Sequence, residues 1–246
     1  MLTRKLAALA LVLLPVAALA SEGGGLEPAN TDIHNTASLQ RGARNFVNYC
    51  MGCHSAKYVR WNRLAEDLEI PMDEVRRSLM FAGGSEHSTL MSAMTADDGK
   101  RWFGNAPPDL SLIARSRGTD YLYHFLRTFY ADPKRPTGTN NLALPGTAMP
   151  HVLASLQGVQ QAKYELRTGA GGASEQHLVG LEPGLPGELS AEQYDEFVRD
   201  TVNFLDYVGE PIKARRENLG VWVILFLLLL FAFSYLLKQE YWKDVK

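Results

Sequence analysis

From Ser38 onward the apolar positions Leu39, Ala43, Phe46 and Val47 recur at the spacing of one helix face, and the pattern runs into Tyr49. The same spacing predicts a second helix over Met72 to Phe81, closed by Gly83 and Gly84. It predicts a third over Thr119 to Tyr130, dense in aromatics and stopped by Asp132-Pro133. The longest amphipathic run is Ser190 to Val208. There Tyr194, Phe197, Val198, Thr201, Phe204, Leu205 and Val208 form one stripe, and Ser190 with Gln193 matches a capping box. Two stretches break the helical pattern. Pro133 to Pro150 is a loop of Pro, Gly, Thr and Asn, and Thr168 to Gly187 reads as a surface loop that lacks the Gly-Lys-Ser/Thr of a phosphate-binding turn. With no clear strand alternation and no repeat, the body reads as mostly α with irregular loop insertions.

The two ends are apolar on every face. Arg4 and Lys5 precede the run "LAALALVLLPVAALA", with small residues at Ala18 and Ala20, which is the layout of a secretory signal peptide over residues 1–20. An uncleaved first membrane helix is the alternative, and Pro15 and the following glycine-rich segment weigh against it. Leu219 to Leu237 contains no charge and, at roughly 1.5 Å per residue, matches a bilayer core of about 30 Å. Trp222 at one end and Tyr235, Tyr241 and Trp242 at the other sit where interfacial aromatics belong. The expected organisation is therefore a leader over 1–20, an exported domain over 21–210, a membrane anchor over 219–238 and a cytoplasmic tail over 239–246. Lysines and arginines flank the anchor on both sides, so the leader, not charge, sets the topology: body in the periplasm, one pass through the inner membrane.

The formal net charge of the chain is −2, and removing its basic ends leaves the body more acidic still. That excludes nucleic acid as a partner and suits a basic protein partner.

Only two cysteines occur, Cys50 and Cys53, and His54 follows directly in "YCMGCH". Cys-x-x-Cys-His is the attachment signal of a c-type haem. Two thiols three apart on a helical turn reach the two vinyl groups on one side of a porphyrin, and the adjacent imidazole falls over the iron. A zinc site needs two further ligands and no other thiol exists. A thioredoxin-like pair wants a strand before it and a helix beginning at it, whereas here a helix precedes. A disulfide across two residues is strained. For the opposite side of the iron the candidate is Met149, in "LPGTAMPHV", on a Pro/Gly-shaped loop of the kind that presents a thioether. His151 is its rival, and Met72, Met80, Met91 and Met94 read as space-fillers. Arg115, beyond "NAPPDLSLIA", is a candidate partner for a haem propionate, with a solvated side chain like that of Arg117 as the alternative.

The ordered set "NYCMGCH", "NAPPDLSLIARSRGTDYLYHFLRTFY", "NLALPGTAMPHVL" and "FLDYVGEP", then a basic patch and one anchor, resembles the cytochrome c1 family, the haem subunit of the cytochrome bc1 complex. The resemblance implies a cytochrome c-like haem domain with one covalent haem c on Cys50 and Cys53, axial His54 and Met149, and Arg115 at a propionate. It implies a pocket lined by Asn105, Pro107, Pro108 and Tyr121, with Phe46 packed on the stripe of the last body helix. It also implies a non-catalytic electron carrier within a quinol:cytochrome c oxidoreductase. Its partners would be cytochrome b, a Rieske iron-sulfur protein and an acceptor cytochrome c, in a dimeric assembly at the membrane. Some relatives carry a further disulfide, for which this chain has no thiols. Two other readings stay in view: a free membrane-tethered cytochrome, disfavoured because only about ten residues separate the last body helix from the bilayer, and a haem enzyme or gas sensor with an open iron.

Overall fold

The computed structural model describes residues 26–168 and 174–244, so the expected leader lies outside the described residues. Helix α1 covers Thr36–Asn45, with the Asn35 side chain accepting from the Ser38 amide at 3.1 Å as its N-cap. It continues into a π-helical turn over Phe46–Cys50. Short elements follow: β1 (Ala56–Arg60), α2 (Trp61–Asp67), α3 (Met72–Ser78), β2 (Thr89–Leu90), α4 (Ala96–Phe103), α5 (Ile113–Arg117) and α6 (Thr119–Arg127). Then come β3 (Phe129–Ala131), β4 (Thr139–Asn141), α7 (Ala154–Gln157), β5 (Gly158–Thr168) and β6 (Ser174–Pro186). Helix α8 spans Ala191–Gly209, and α9 spans Lys213–Tyr241. About half of the described residues are helical, more than lie in strands, and one apolar C-terminal helix is long enough to cross a membrane.

The core forms where α1 crosses α8. Gly42 sits at the crossing, and a Cβ there would run into the Asp200 carbonyl oxygen and come within 2.6 Å of Phe204 Cβ. The close approach packs Phe46 against Phe204, ring centroids 5.5 Å apart and tilted by 43°, as the resemblance implies. Beside it lies a polar lock. The buried Asp200 carboxylate accepts from Ser38 Oγ at 2.6 Å and from Arg41 Nε and Nη2 at 2.5 and 2.9 Å, while Asn203 donates to Ser38 Oγ at 3.0 Å. A buried carboxylate is tolerated only when paired and hydrogen-bonded in this way. The stripe on α8 is as expected, with Tyr194, Val198, Thr201, Phe204, Leu205 and Val208 all buried, and the Ser190/Gln193 capping box is formed.

Four boundaries depart from the sequence reading. The second helix stops at Ser78, not Phe81, and the third stops at Arg127, because Phe129 and Tyr130 enter a strand. The loop of Pro133 to Pro150 contains β4, whose Asn141, Asn140 and Thr139 pair with Phe129, Tyr130 and Ala131. Most of Thr168 to Gly187, expected as a surface loop, is the second strand of an antiparallel hairpin, β5–β6. Two irregularities, at Val159/Gln160 and Lys163/Tyr164, each shift the register by one residue, so the period-2 pattern is broken along the sequence although the ladder is continuous. The hairpin's base is fixed by side chains: Gln160 Nε2 donates to the carbonyls of Arg127 (2.8 Å) and Phe129 (2.9 Å), and Gln157 Nε2 donates to that of Arg127 at 2.8 Å.

The helix that carries the apolar run begins before Leu219. It starts at Lys213, so that only Glu210, Pro211 and Ile212 separate it from α8, while the apolar run itself begins at Leu219 as the sequence shows.

Gly42→Ala should destabilise the body by about 1–3 kcal/mol, the usual cost of overpacking a tight contact. For a domain of this size that lowers the unfolding midpoint by roughly 2–4 °C per kcal/mol, readable by thermal denaturation of the purified chain.

Candidate haem-binding site

The helical crossing delivers Cys50 to a cavity. The Met51 amide bonds back to the Phe46 carbonyl (2.9 Å), and this wide turn is followed by tight ones, with Cys53 and His54 amides both on the Cys50 carbonyl at 3.0 and 2.9 Å. Ser92 braces the turn by donating to the Gly52 carbonyl at 2.9 Å. The cavity has a volume of about 340 Å³, within the roughly 300–1,000 Å³ of small-molecule and cofactor sites.

Eight of the nine residues expected at a haem meet on this cavity: Cys50, Cys53, His54, Asn105, Pro107, Pro108, Tyr121 and Met149. Arg115 does not. Its guanidinium points away, to Glu210 Oε2 at 3.2 Å, and Arg117, two residues on, lines the cavity instead with its guanidinium 5.6 Å from the Tyr121 ring. Phe103, Ile113, Phe125 and Leu205 complete much of the wall and are not among the residues expected at a haem. Phe125 and Leu205 lie on predicted amphipathic helices, where a lining residue and a core residue give the same periodic signal.

The chemistry of the wall is specific. His54 Nδ1 lies 2.7 Å from the Pro108 carbonyl, which only accepts, so Nδ1 carries the proton and Nε2 keeps its lone pair free. Pro108 is held there by its neighbour: Asp109 accepts from the amides of Lys57 and Ser111 at 3.1 and 3.0 Å, tying the "PPDLS" segment to β1. Burial lowers the His54 pKa, against an opposing pull from the Pro108 carbonyl and Asp109, which favours the neutral imidazole a metal requires. Burial likewise pushes the Cys50 thiol up to about 12 and raises Cys53. A redox-active pair has the reverse setting, a depressed thiolate pKa at a helix start. The two thiols are free. Among the described residues no group of three His, Cys, Asp or Glu side chains gathers as a zinc site would.

Met149 sits on a loop built by two asparagines. Asn141 Oδ1 accepts from the amides of Ala143 (2.8 Å) and Leu144 (3.2 Å), its Nδ2 donates to the Phe125 carbonyl (2.7 Å), and Asn140 Oδ1 accepts from the Gly146 amide (2.7 Å). Among the described residues Met149 is the only methionine on the cavity wall. His151, its rival, faces elsewhere. It is buried, stacks on Phe129 at 4.9 Å and 3°, and is held near pKa 4 by burial. The residues present thus fit a covalent porphyrin: two thiols on one wall, an imidazole with a free Nε2, a thioether from another element and an apolar lining.

The Cytochrome C1 family profile matches residues 29–165 and 188–245. The chain belongs to the cytochrome c1 family. It is 50% identical to cytochrome c1 of Allochromatium vinosum, over 96% of both chains. It is 43% identical to a protein named ammonia monooxygenase gamma subunit from Nitrosomonas europaea, again over 96% of both. Cytochrome c1 of Rhodospirillum rubrum is 27% identical over 87% of this chain and 84% of its own. Membership makes this an electron-transfer subunit of the cytochrome bc1 complex and implies a covalently bound c-type haem. Among the described residues one helix, Lys213–Tyr241, is long and apolar enough to cross a membrane, which fits a membrane protein anchored at that end.

Replacing Cys50 and Cys53 together by Ser should abolish covalent attachment. After acid-acetone extraction the parent chain should retain its haem by intact mass, and the double variant should show the bare polypeptide.

Proposed function

We propose that the chain takes single electrons from a Rieske iron-sulfur protein and delivers them to a cytochrome c through one haem c. The observation that carries this reading is the meeting of Cys50, Cys53, His54 and Met149 on one apolar cavity, with His54 Nδ1 already committed to the Pro108 carbonyl. The bound haem supplies a reversible one-electron iron couple. Cys50 and Cys53 hold it by thioethers, which use up both thiols. His54 Nε2 and the Met149 thioether would hold its iron and leave no site for a substrate, and a Met ligand would raise the potential. Asn105, Pro107, Pro108 and Tyr121 keep water from the ring. Arg117, rather than Arg115, offers the guanidinium for a propionate. A cleaved leader over 1–20 puts residues 21–218 in the periplasm, with residues 239–246 in the cytoplasm. Cytochrome b then adjoins the anchor in a dimeric complex. Acidic residues such as Asp97 and Asp98 attract a basic acceptor cytochrome, an effect screened beyond about 8–10 Å at physiological salt.

In membranes, quinol should reduce the haem only when the iron-sulfur subunit is present, followed by the visible α-band. Reduction that persists in its absence overturns the donor assignment.

Met149→Leu should lower the midpoint potential by on the order of 0.1 V or more, within the roughly 0.8 V range that axial ligands command, and should open the reduced iron to carbon monoxide. Redox titration and the carbon monoxide difference spectrum read both; an unchanged potential removes Met149 from the iron.

Arg117→Leu removes a positive charge from the cavity wall and should lower the potential, since that charge favours the reduced state of a bound haem. Arg115→Leu should leave it unchanged. Redox titration of the two variants compares them directly.

A further inference from the structure

Arg115 and the end of the segment "FLDYVGEP", Gly209 and Glu210, are not on the cavity wall. They meet each other instead. Glu210, directly after α8, receives Arg115 of α5 at 3.2 Å through one carboxylate oxygen, and Arg216 of α9 at 2.7 and 3.3 Å through both. Its side chain is 21% exposed, less than half the exposure of either arginine. The stem of Arg115 reaches it by lying flat on the end of α8: a Cβ on Gly209 would come within 3.1 Å of Arg115 Cγ and 3.6 Å of Cδ. Gly209 therefore makes room for the contact that Glu210 completes. The flanking cations hold the Glu210 carboxyl below its ordinary range, with the Arg216 hydrogen bond as the largest cause.

Two further ties run beside this one. Asp206 of α8 accepts from Lys213 Nζ at 3.0 and 3.3 Å and from Thr31 Oγ1 at 3.2 Å, and His34 lies 3.6 Å from Glu217. The first turns of α9 are thus gripped by α8, α5 and the N-terminal segment before the apolar span begins. Arg216 stands three residues, about 4.5 Å of helix rise, before Leu219. On the other side, α5 carries Ile113 and Arg117 on the cavity wall.

We propose that Glu210 is a positioning residue, the hub that fixes the attitude of the haem-binding domain on its membrane anchor by bridging the cavity-wall helix α5 to the first turns of α9. The proposal rests on the function proposed above only in that a fixed attitude matters when electrons arrive from a donor at the membrane. A body hung on a slack linker would present its cavity at many angles. With only Glu210, Pro211 and Ile212 between the helices, residual freedom is rotation about that joint, and the carboxylate bridge is the tie across it that reaches the cavity-wall helix.

The test uses the whole complex in native membranes. Electron paramagnetic resonance of oriented multilayers reads the angle and angular spread of the haem g-axes relative to the membrane normal. In Glu210→Ala the spread should widen while the visible spectrum and midpoint potential stay as in the parent. Quinol should then reduce the haem more slowly, by roughly fivefold or less, as the loss of a solvent-accessible ion pair allows. Oxidation by soluble cytochrome c should be unaffected. Glu210→Asp, which keeps the charge, should recover most of both effects. Should Glu210→Ala fail to assemble, Arg115→Gln leaves Arg216 on the carboxylate and is expected to widen the spread by a smaller amount. Asp73→Asn, which breaks an exposed pair with Arg76 elsewhere on the body, is the control. A parent-like spread in the assembled Glu210 or Arg115 variant overturns the proposal, as does equal widening in the control. A parent complex whose haem quinol does not reduce overturns the donor assignment instead and leaves the orientation measurement to decide this one.

Discussion

The contact on which the rest depends is the crossing of α1 over α8 at Gly42. With no side chain at that position the two backbones approach closely enough for Phe46 to reach Phe204, and for Ser38 and Arg41 to close on the buried Asp200 carboxylate. The apolar stack supplies the burial and the carboxylate lock fixes the register, because a shift of one residue along α8 would leave a charge buried without partners. Since the cysteines follow α1 within one π-helical turn, the crossing also sets where they lie. Site geometry here is a consequence of core packing, which is why a residue far from any ligand atom controls it.

The same burial that stabilises the core sets the chemistry of the cavity. Two thiols pushed up in pKa are poor thiolates, and an imidazole pushed down is a ready ligand, so one physical cause disfavours redox exchange at the cysteines and favours metal ligation at His54. The Pro108 carbonyl does the remaining work by choosing the tautomer. That carbonyl stands where it does because the two prolines cannot donate to a ladder, while Asp109 takes backbone amides from β1 and from its own turn.

How much of this could be read in the chain follows from what each signal reports. The α8 stripe and its capping box were legible because side-chain spacing and local hydrogen bonding are properties of the sequence itself. Cys50, Cys53 and His54 were legible because the attachment chemistry demands adjacency. Met149 could be proposed from its loop, but separating it from His151 needed the stack of His151 on Phe129, a contact with no local signature. Arg115 and Arg117 are two residues apart on a five-residue helix, and nothing in the string says which one turns inward. The structure answers that through Glu210, distant in sequence, which claims Arg115. The hairpin was missed because two bulges reset its alternation and Pro183, Gly184 and Pro186 read as breakers.

That hairpin shows how the fold carries variable chain without disturbing the site. The family profile leaves out residues 166–187, most of which belong to β6, and matches the chain on both sides. The ribbon joins the body through β3 and through amide side chains of Gln157 and Gln160 that bond to the carbonyls of Arg127 and Phe129. Those carbonyls lie where α6 ends and β3 begins, and an unfilled carbonyl at a helix end is a free acceptor. The hairpin therefore satisfies a need that α6 would have in any case and places no large side chain in the α1–α8 core. Its attachment rests on two glutamine side chains at its base and on backbone acceptors, and α6, which supplies those acceptors with the start of β3, presents Tyr121 and Phe125 to the cavity.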